Sequence, residues 1–324
     1  MAMLRVAILD DYQGVALSLV DWNRLGDDVE AVSFSRHVAD IDEAARLLAD
    51  FDVFVLMRER MDVPAALLER LPRLKYIVVT GSHTRSVDVA AARARGVPVS
   101  LTVSTVSVSA AEHAWALVMA LAKNIVIEDR NMREGRWMTE IGFRLEGRTL
   151  GVLGLGALGA AVARYGNAFG MKVIAWSANL TRARAEECGA TLASKEELLR
   201  TSDVISIHLK LSPRTHGLIG AAEFAMMKKT AVLVNTSRGP IVDEAALMTA
   251  LTTGQILRAG LDVYDHEPLP ADHPLRKIPN TVLSPHTGFT VEEGLRGYYN
   301  DAIRLIAAWR AGKPENVYAG FASP

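Results

Sequence analysis

The chain's 324 residues are more than one hydrophobic core normally serves, which predicts two domains, each able to bury a core without disulfides or metal. Half of the residues are hydrophobic, 23% are charged and the formal net charge is −1, which excludes the broad basic field of a nucleic-acid or anionic-membrane binder and leaves a small ligand as the expected partner. The single cysteine, Cys188, excludes an internal disulfide and fits a reducing compartment.

The opening MAMLRVAILDD lacks the long apolar core of a signal peptide. No segment reaches the roughly 18 uninterrupted apolar residues of a membrane span, so a cytoplasmic protein is expected. Apolar runs of strand length follow at 5–10, 52–57, 74–80 and 97–102, separated by the helical patterns IDEAARLLAD and PAALLERL, the second with Pro64 at its start. Such alternation builds a parallel sheet covered on both faces. Residues 107–126 read as one long buried helix, and the charged, glycine-containing stretch EDRNMREGRWMTEIGFRLEG as a connection between domains.

From Thr149 the alternation restarts, with strand-like runs in RTLGVLGLG and at 172–177, 203–209, 230–237, 259–264 and 281–285, six strands in all. That is the requirement of a doubly wound dinucleotide fold. The last helical pattern, 290–312, is long enough to return to the first domain. The expected organisation is α/β, with two doubly wound parallel-sheet domains: a discontinuous first domain, 1–102 and 290–324, and a dinucleotide-binding domain, 103–289.

The stretch Gly154-Leu155-Gly156-Ala157-Leu158-Gly159 carries G-x-G-x-x-G spacing directly after a strand and before an amphipathic helix. The first glycine permits a tight turn, the second lets backbone approach a pyrophosphate and the third lets helix pack on strand. An acidic residue about 20 positions on usually binds the NAD ribose. Here Ser177 stands at the strand end, no carboxylate follows until Glu186, and Arg182 and Arg184 are near, which tilts a cofactor that is NAD or NADP toward NADP. The two arginines also read as solvated helix residues.

Three polar residues follow strand ends: Arg238 after VLVNTS, Glu267 in YDHEPLP and His286 in VLSPHTG. Residues past the carboxyl ends of parallel strands line the ligand crevice, so these three are expected to converge. An arginine there calls for an anion or a paired carboxylate, an imidazole supplies a proton near neutral pH, and a neighbouring carboxylate favours the charged imidazole. No metal is expected: there is no H-E-x-x-H, and His266 and His273 lie beside Glu267 without a further ligand set. No G-x-S-x-G elbow supports a hydrolase.

The stretches GVLGLGALG, HLKLSPRTHGLIG, MMKKTAVLVNTSRGPIVDEAALMTAL, AGLDVYDHEPLPADHPL and PNTVLSPHTGFT, with AAEHAWALVMALAKNI upstream, resemble the D-isomer-specific 2-hydroxyacid dehydrogenases in family order. The resemblance implies a flavodoxin-like substrate domain and a Rossmann cofactor domain with a cleft between them. It also implies hydride transfer between the nicotinamide of NAD(P) and a small 2-keto or D-2-hydroxy acid of the glyoxylate, hydroxypyruvate or 3-phosphoglycerate type. It assigns substrate binding to Arg238, proton transfer to His286 and support of that histidine to Glu267. It places Asp262 near the nicotinamide, and Leu209, Thr236, Ser237 and Gly288 along the cofactor with Arg238 and His286. In the first domain it gives substrate binding to the loop VVTGSHTRSVD, where Ser82 and His83 replace more usual small residues; Arg58 is a candidate for the same task or a solvated arginine. Helix 107–126 resembles the family's subunit-pairing element, so a homodimer is expected. The alternatives are a formate- or phosphite-type dehydrogenase, and a non-catalytic dinucleotide-sensing, corepressor-like binding protein.

Overall fold

The computed structural model describes residues 3–103 and 107–318. It divides into two compact units, Met1–Thr105 with Thr290–Pro324, and Val106–Phe289.

The first unit is built on five parallel strands, β1 (Leu4–Leu9), β2 (Val29–Ser33), β3 (Val53–Leu56), β4 (Tyr76–Val79) and β5 (Val99–Leu101), in the order β2-β1-β3-β4-β5. Every residue of β3 and β4 is buried, as a strand with helices on both faces requires. β2 is absent from the expectation because it is an edge strand: Glu30 is exposed and the rest is only half-buried, so its sequence shows no apolar run. Helix Glu292–Arg310 belongs to this unit and buries Tyr298 and Tyr299. Trp309 stacks on Tyr76 with ring centroids 5.0 Å apart, and Val317 bridges Ser100 of β5.

The second unit carries seven parallel strands, β6 (Thr149–Leu153), β7 (Lys172–Trp176), β8 (Thr191–Leu192), β9 (Val204–Ile207), β10 (Val232–Asn235), β11 (Arg258–Leu261) and β12 (Thr281–Leu283), in the order β12-β11-β10-β9-β6-β7-β8. That is one strand more than the six expected, because β8 is two residues long and leaves no readable pattern. Alternate residues feed opposite faces: Val152, Val204, Val232 and Val234 pack with helices Ser107–Lys123 and Ala157–Ala168, whereas Leu153, Ile205, Ile207 and Leu233 pack with Leu198, Phe224 and Leu247. The strand order reverses between β6 and β9, so a crevice opens beyond their carboxyl ends.

Two expectations need correction. The helix expected over 107–126 ends at Lys123, and after Asn124 the chain continues as a second helix, Ile125–Arg133, bent by 61°. Asn124 takes the left-handed conformation, φ +55°, which asparagine tolerates better than most residues, and apolar periodicity gives no sign of such a break. The stretch expected to connect domains, 128–147, begins inside that second helix and lies within the second unit. Among the described residues no single helix is long and apolar enough to cross a membrane.

Candidate active site

Between β6 and helix Ala157–Ala168 the glycine turn has the shape its spacing implies. Gly154 has φ +96°, and a Cβ there would stand 2.6 Å from the His208 carbonyl oxygen at the end of β9. A Cβ on Gly159 would lie 1.9 Å from the Gly154 carbonyl oxygen, so only glycine lets the helix press onto the turn. Gly156 differs from both: a Cβ on it meets nothing within 4 Å, and it is exposed at the N-cap of a helix with no side-chain cap. The first-turn amides of this twelve-residue helix are therefore left for an anion, and the cradle fits a dinucleotide pyrophosphate. Leu155 points into the core, so it meets a ligand only through its backbone, whereas Leu158 is half-buried against the core and Ala157 is exposed. Burial pushes the His208 imidazole down to about 4, so at pH 7 it is neutral and adds no charge beside the turn.

Ser177 lies just past β7, half-buried, its carbonyl accepting from the Leu180 amide. Arg182 is exposed, and Arg184 reaches Glu187 at 3.1 Å on the surface, a pair worth little in water. Leu209, beyond β9, is half-buried against the core under the glycine turn.

The strand-end turn after β10 is tied together by Asn235, a buried residue the sequence reading passed over. Its Oδ1 accepts from the Ser237 amide at 3.0 Å and its Nδ2 donates to the Arg238 carbonyl at 3.0 Å, an Asx-type closure that leaves the half-buried Thr236 at the bend. The Ser237 hydroxyl donates to the Ile207 carbonyl at 2.7 Å, and Arg238 Nη1 to the Ser237 carbonyl at 2.7 Å. Gly239 follows because a Cβ there would be 2.1 Å from the Tyr264 carbonyl carbon. That close backbone approach seats the Arg238 turn against the loop that carries Glu267.

Glu267 and His286 meet: Glu267 Oε2 lies 2.5 Å from His286 Nδ1, while Oε1 accepts from the Tyr264 amide at 2.9 Å. Tyr264 in turn donates its phenol to the Ser284 carbonyl at 2.9 Å, linking the two loops. Burial and the nearby Asp262 and Glu267 carboxylates push that phenol up, so it stays protonated. His286 itself has φ +53°, a left-handed conformation that a histidine adopts only when its surroundings hold it, and its ring meets Phe289 edge-on at 5.9 Å.

Asp262, expected beside a bound cofactor, is 1% exposed and its carboxylate is taken up by the protein. Oδ1 accepts from the Ser284 hydroxyl at 2.6 Å, the Thr287 amide at 2.8 Å and His113 Nε2 at 3.1 Å, and Oδ2 accepts from the Gly288 amide at 2.9 Å. Burial pushes this carboxyl up, but the donors from His113, Ser284 and Thr287 outweigh it and hold it below the usual carboxylate range.

In the first unit, Arg58 is half-buried and held by its neighbours. It has φ +55°, its amide donates to the Thr80 hydroxyl at 2.9 Å, and its Nη1 donates to the Tyr298 phenol at 3.1 Å. A Cβ on Gly81 would sit 3.9 Å from that guanidinium, so Arg58 borders the loop after β4. In that loop Ser82 is exposed and His83 half-buried, with Ser82 Oγ 3.5 Å from His83 Nε2.

The second unit is the kind of α/β domain that serves nicotinamide-dependent oxidoreductases. Its residues 115–288 match the family model "D-isomer specific 2-hydroxyacid dehydrogenase, NAD binding domain". A glyoxylate reductase of Aeropyrum pernix is 40% identical over 275 residues, 82% of each chain. A D-3-phosphoglycerate dehydrogenase of Archaeoglobus fulgidus is 39% identical over 74% of this chain and 46% of its own length. The crystal structure of a phosphoglycerate oxidoreductase from Vibrio cholerae superposes with a TM-score of 0.91 at 32% identity, over 96% of this chain and 100% of the other. The chain belongs to the D-isomer-specific 2-hydroxyacid dehydrogenases. It is an oxidoreductase of 2-hydroxy acids whose cofactor is NAD or NADP.

The second and third glycines of the cradle separate folding from binding. Gly159→Ala should destabilise the second unit by about 1–3 kcal/mol or more, because neither backbone can move aside. Gly156→Ala should leave the thermal midpoint close to that of the parent yet weaken binding of the reduced cofactor on the order of tenfold, read by nicotinamide fluorescence. Parent-like affinity in Gly156→Ala would remove the pyrophosphate from this turn.

Proposed function

We propose that the enzyme reduces a small 2-keto acid to the D-2-hydroxy acid, or runs the reverse, with His286 as proton donor and acceptor. The observation that carries this reading is the 2.5 Å pair between His286 Nδ1 and Glu267. A carboxylate accepts only, so Nδ1 carries a hydrogen, and the proton that leaves or arrives is the one on Nε2. Glu267, itself oriented by the Tyr264 amide, stabilises the imidazolium that reduction consumes and oxidation regenerates. Arg238, on the turn clamped by Asn235, binds the substrate carboxylate and polarises its carbonyl. In the first unit, Arg58 and the loop residues Ser82 and His83 are assigned to substrate. The glycine turn from Gly154 to Gly159 would hold the pyrophosphate of the cofactor, whose nicotinamide would supply the hydride for the carbonyl carbon and accept it in the reverse direction.

For substrate we infer glyoxylate or hydroxypyruvate, supported by the even 82% coverage shared with the Aeropyrum glyoxylate reductase. A phosphoglycerate-type acid is the second reading, favoured by the full-length likeness to the Vibrio oxidoreductase. A panel of 2-keto acids, with formate and phosphite tested as hydride donors, separates these from the other scaffold chemistries; silence on every member would leave a dinucleotide sensor. His286→Ala should lose kcat on the order of 10²-fold or more with cofactor affinity kept. Turnover retained in that variant would take His286 out of the mechanism.

The cofactor is inferred to be NADP in preference to NAD, since Ser177 occupies the strand end and Arg182 is exposed nearby. Fluorescence titration should give tighter NADPH than NADH binding, and equal affinities would defeat the preference.

A homodimer is supported by the apolar side chains that stand in solvent on the segment after Asn124, among them Trp137 at 73%, Met138 at 82% and Ile141 at 93% exposure. Light scattering should find a dimer, and Ile141→Glu should shift it toward monomer; a monomeric parent would end this reading. A cytoplasmic location fits the one buried cysteine, Cys188.

A further inference from the structure

Helix Ser107–Lys123 does more than cover the sheet. Ser109 and His113 are one turn apart on it and so share a face. The Ser109 hydroxyl donates to the Gly288 carbonyl at 2.7 Å, and His113 Nε2 lies 2.8 Å from the Ser284 hydroxyl oxygen and 3.1 Å from Asp262 Oδ1. Ser284 spends its only hydrogen on Asp262 at 2.6 Å, so its oxygen has to accept from His113, and Nε2 of His113 carries a hydrogen. Gly288 is thereby held on both sides of its Cα, its amide by Asp262 and its carbonyl by Ser109. The Thr287 amide is held by Asp262 as well. These are the two residues directly after His286, whose backbone sits in a left-handed conformation that relaxes unless its neighbours prevent it.

We propose that His113 is a positioning residue for His286: through Ser284 and Asp262 it locks residues 287–288 and so keeps the His286 imidazole in line with Glu267. The inference rests on the assignment of His286 as the proton-transfer group. It gives a role to a helix residue that reaches His286 only through Ser284 and Asp262. The ionisable side chains in or against the network are His113 on the helix, Asp262, Tyr264 and Glu267 on the loop after β11, and His286 on the loop after β12. The arrangement asks of residue 113 a hydrogen-bond donor at the Nε2 position and no particular charge. A glutamine amide nitrogen reaches the same place.

The test uses the full-length enzyme with His113→Ala and His113→Gln, read by steady-state kinetics and by amide hydrogen exchange at residues 287–288 in the cofactor-free protein. In His113→Ala, kcat should fall on the order of 10- to 10²-fold while KM for cofactor and keto acid moves less than about threefold. Exchange at residues 287–288 should speed up on the order of tenfold. His113→Gln should restore both to near the parent. Parent-like exchange in His113→Ala, loosened exchange with undiminished kcat, or a glutamine variant as impaired as alanine each overturns the proposal. If His113→Ala does not fold, His113→Gln with Ser109→Ala as a second loosening variant answers the same question. A His286→Ala protein that keeps turnover overturns the assignment of His286, and the exchange data, which need no catalysis, still report whether the clamp exists.

Discussion

A buried carboxylate organises the carboxyl-terminal edge of the second sheet. Asp262, at the end of β11, is held almost wholly out of water, and an ion in that position has to be surrounded by donors. It gathers them from the Ser284 and Thr287 side of the next loop, from the Gly288 amide and from His113 on a distant helix. The need to satisfy one charge thus dictates the path of the chain past β12, and that path sets His286 where it can meet Glu267. Local strain at His286 persists because this satisfied network outweighs it.

The Arg238 and Glu267 loops are joined by a different device. No side chain fits between Gly239 and the Tyr264 backbone, so the two strand-end turns lie in direct contact, and Asn235 closes the first of them while Tyr264 braces the second. Rigid, fully hydrogen-bonded turns of this kind hold side chains more tightly than a solvated loop can, which is the condition for orienting a proton donor and an anion-binding guanidinium. On the far side of the sheet's reversal, the glycine turn uses the same principle of backbone approach, with one glycine position left open for a ligand and two closed by protein atoms.

What could be read in advance had strong local grammar. Fully buried strands such as β3, β4 and β10 announce themselves as apolar runs, and the glycine spacing after β6 implies its own turn because two of its three positions tolerate no Cβ. Edge strand β2 and two-residue β8 do not, since half-exposed or very short strands keep no periodic signal. The break at Asn124 was equally silent, for a left-handed asparagine within an apolar stretch looks like any other helical residue. Asn235, placed between a strand and a turn, carried a signal in its type and position. His113 carried none: on a mostly apolar helix it is indistinguishable from a core histidine until the loop it meets is known.

The amino-acid sequence by itself determined the α/β class, the dinucleotide cradle and the candidacy of Arg238, Glu267 and His286, because strand periodicity, glycine spacing and position after a strand are properties of neighbouring residues. Tertiary structure alone decided which nitrogen of His286 faces Glu267, that Arg58 is engaged by Tyr298, and that Asp262 spends its charge on the loop bearing His286. Those are contacts between residues from 19 to 240 positions apart in the chain, and long-range pairing of that sort is chosen by the packing of the folded chain.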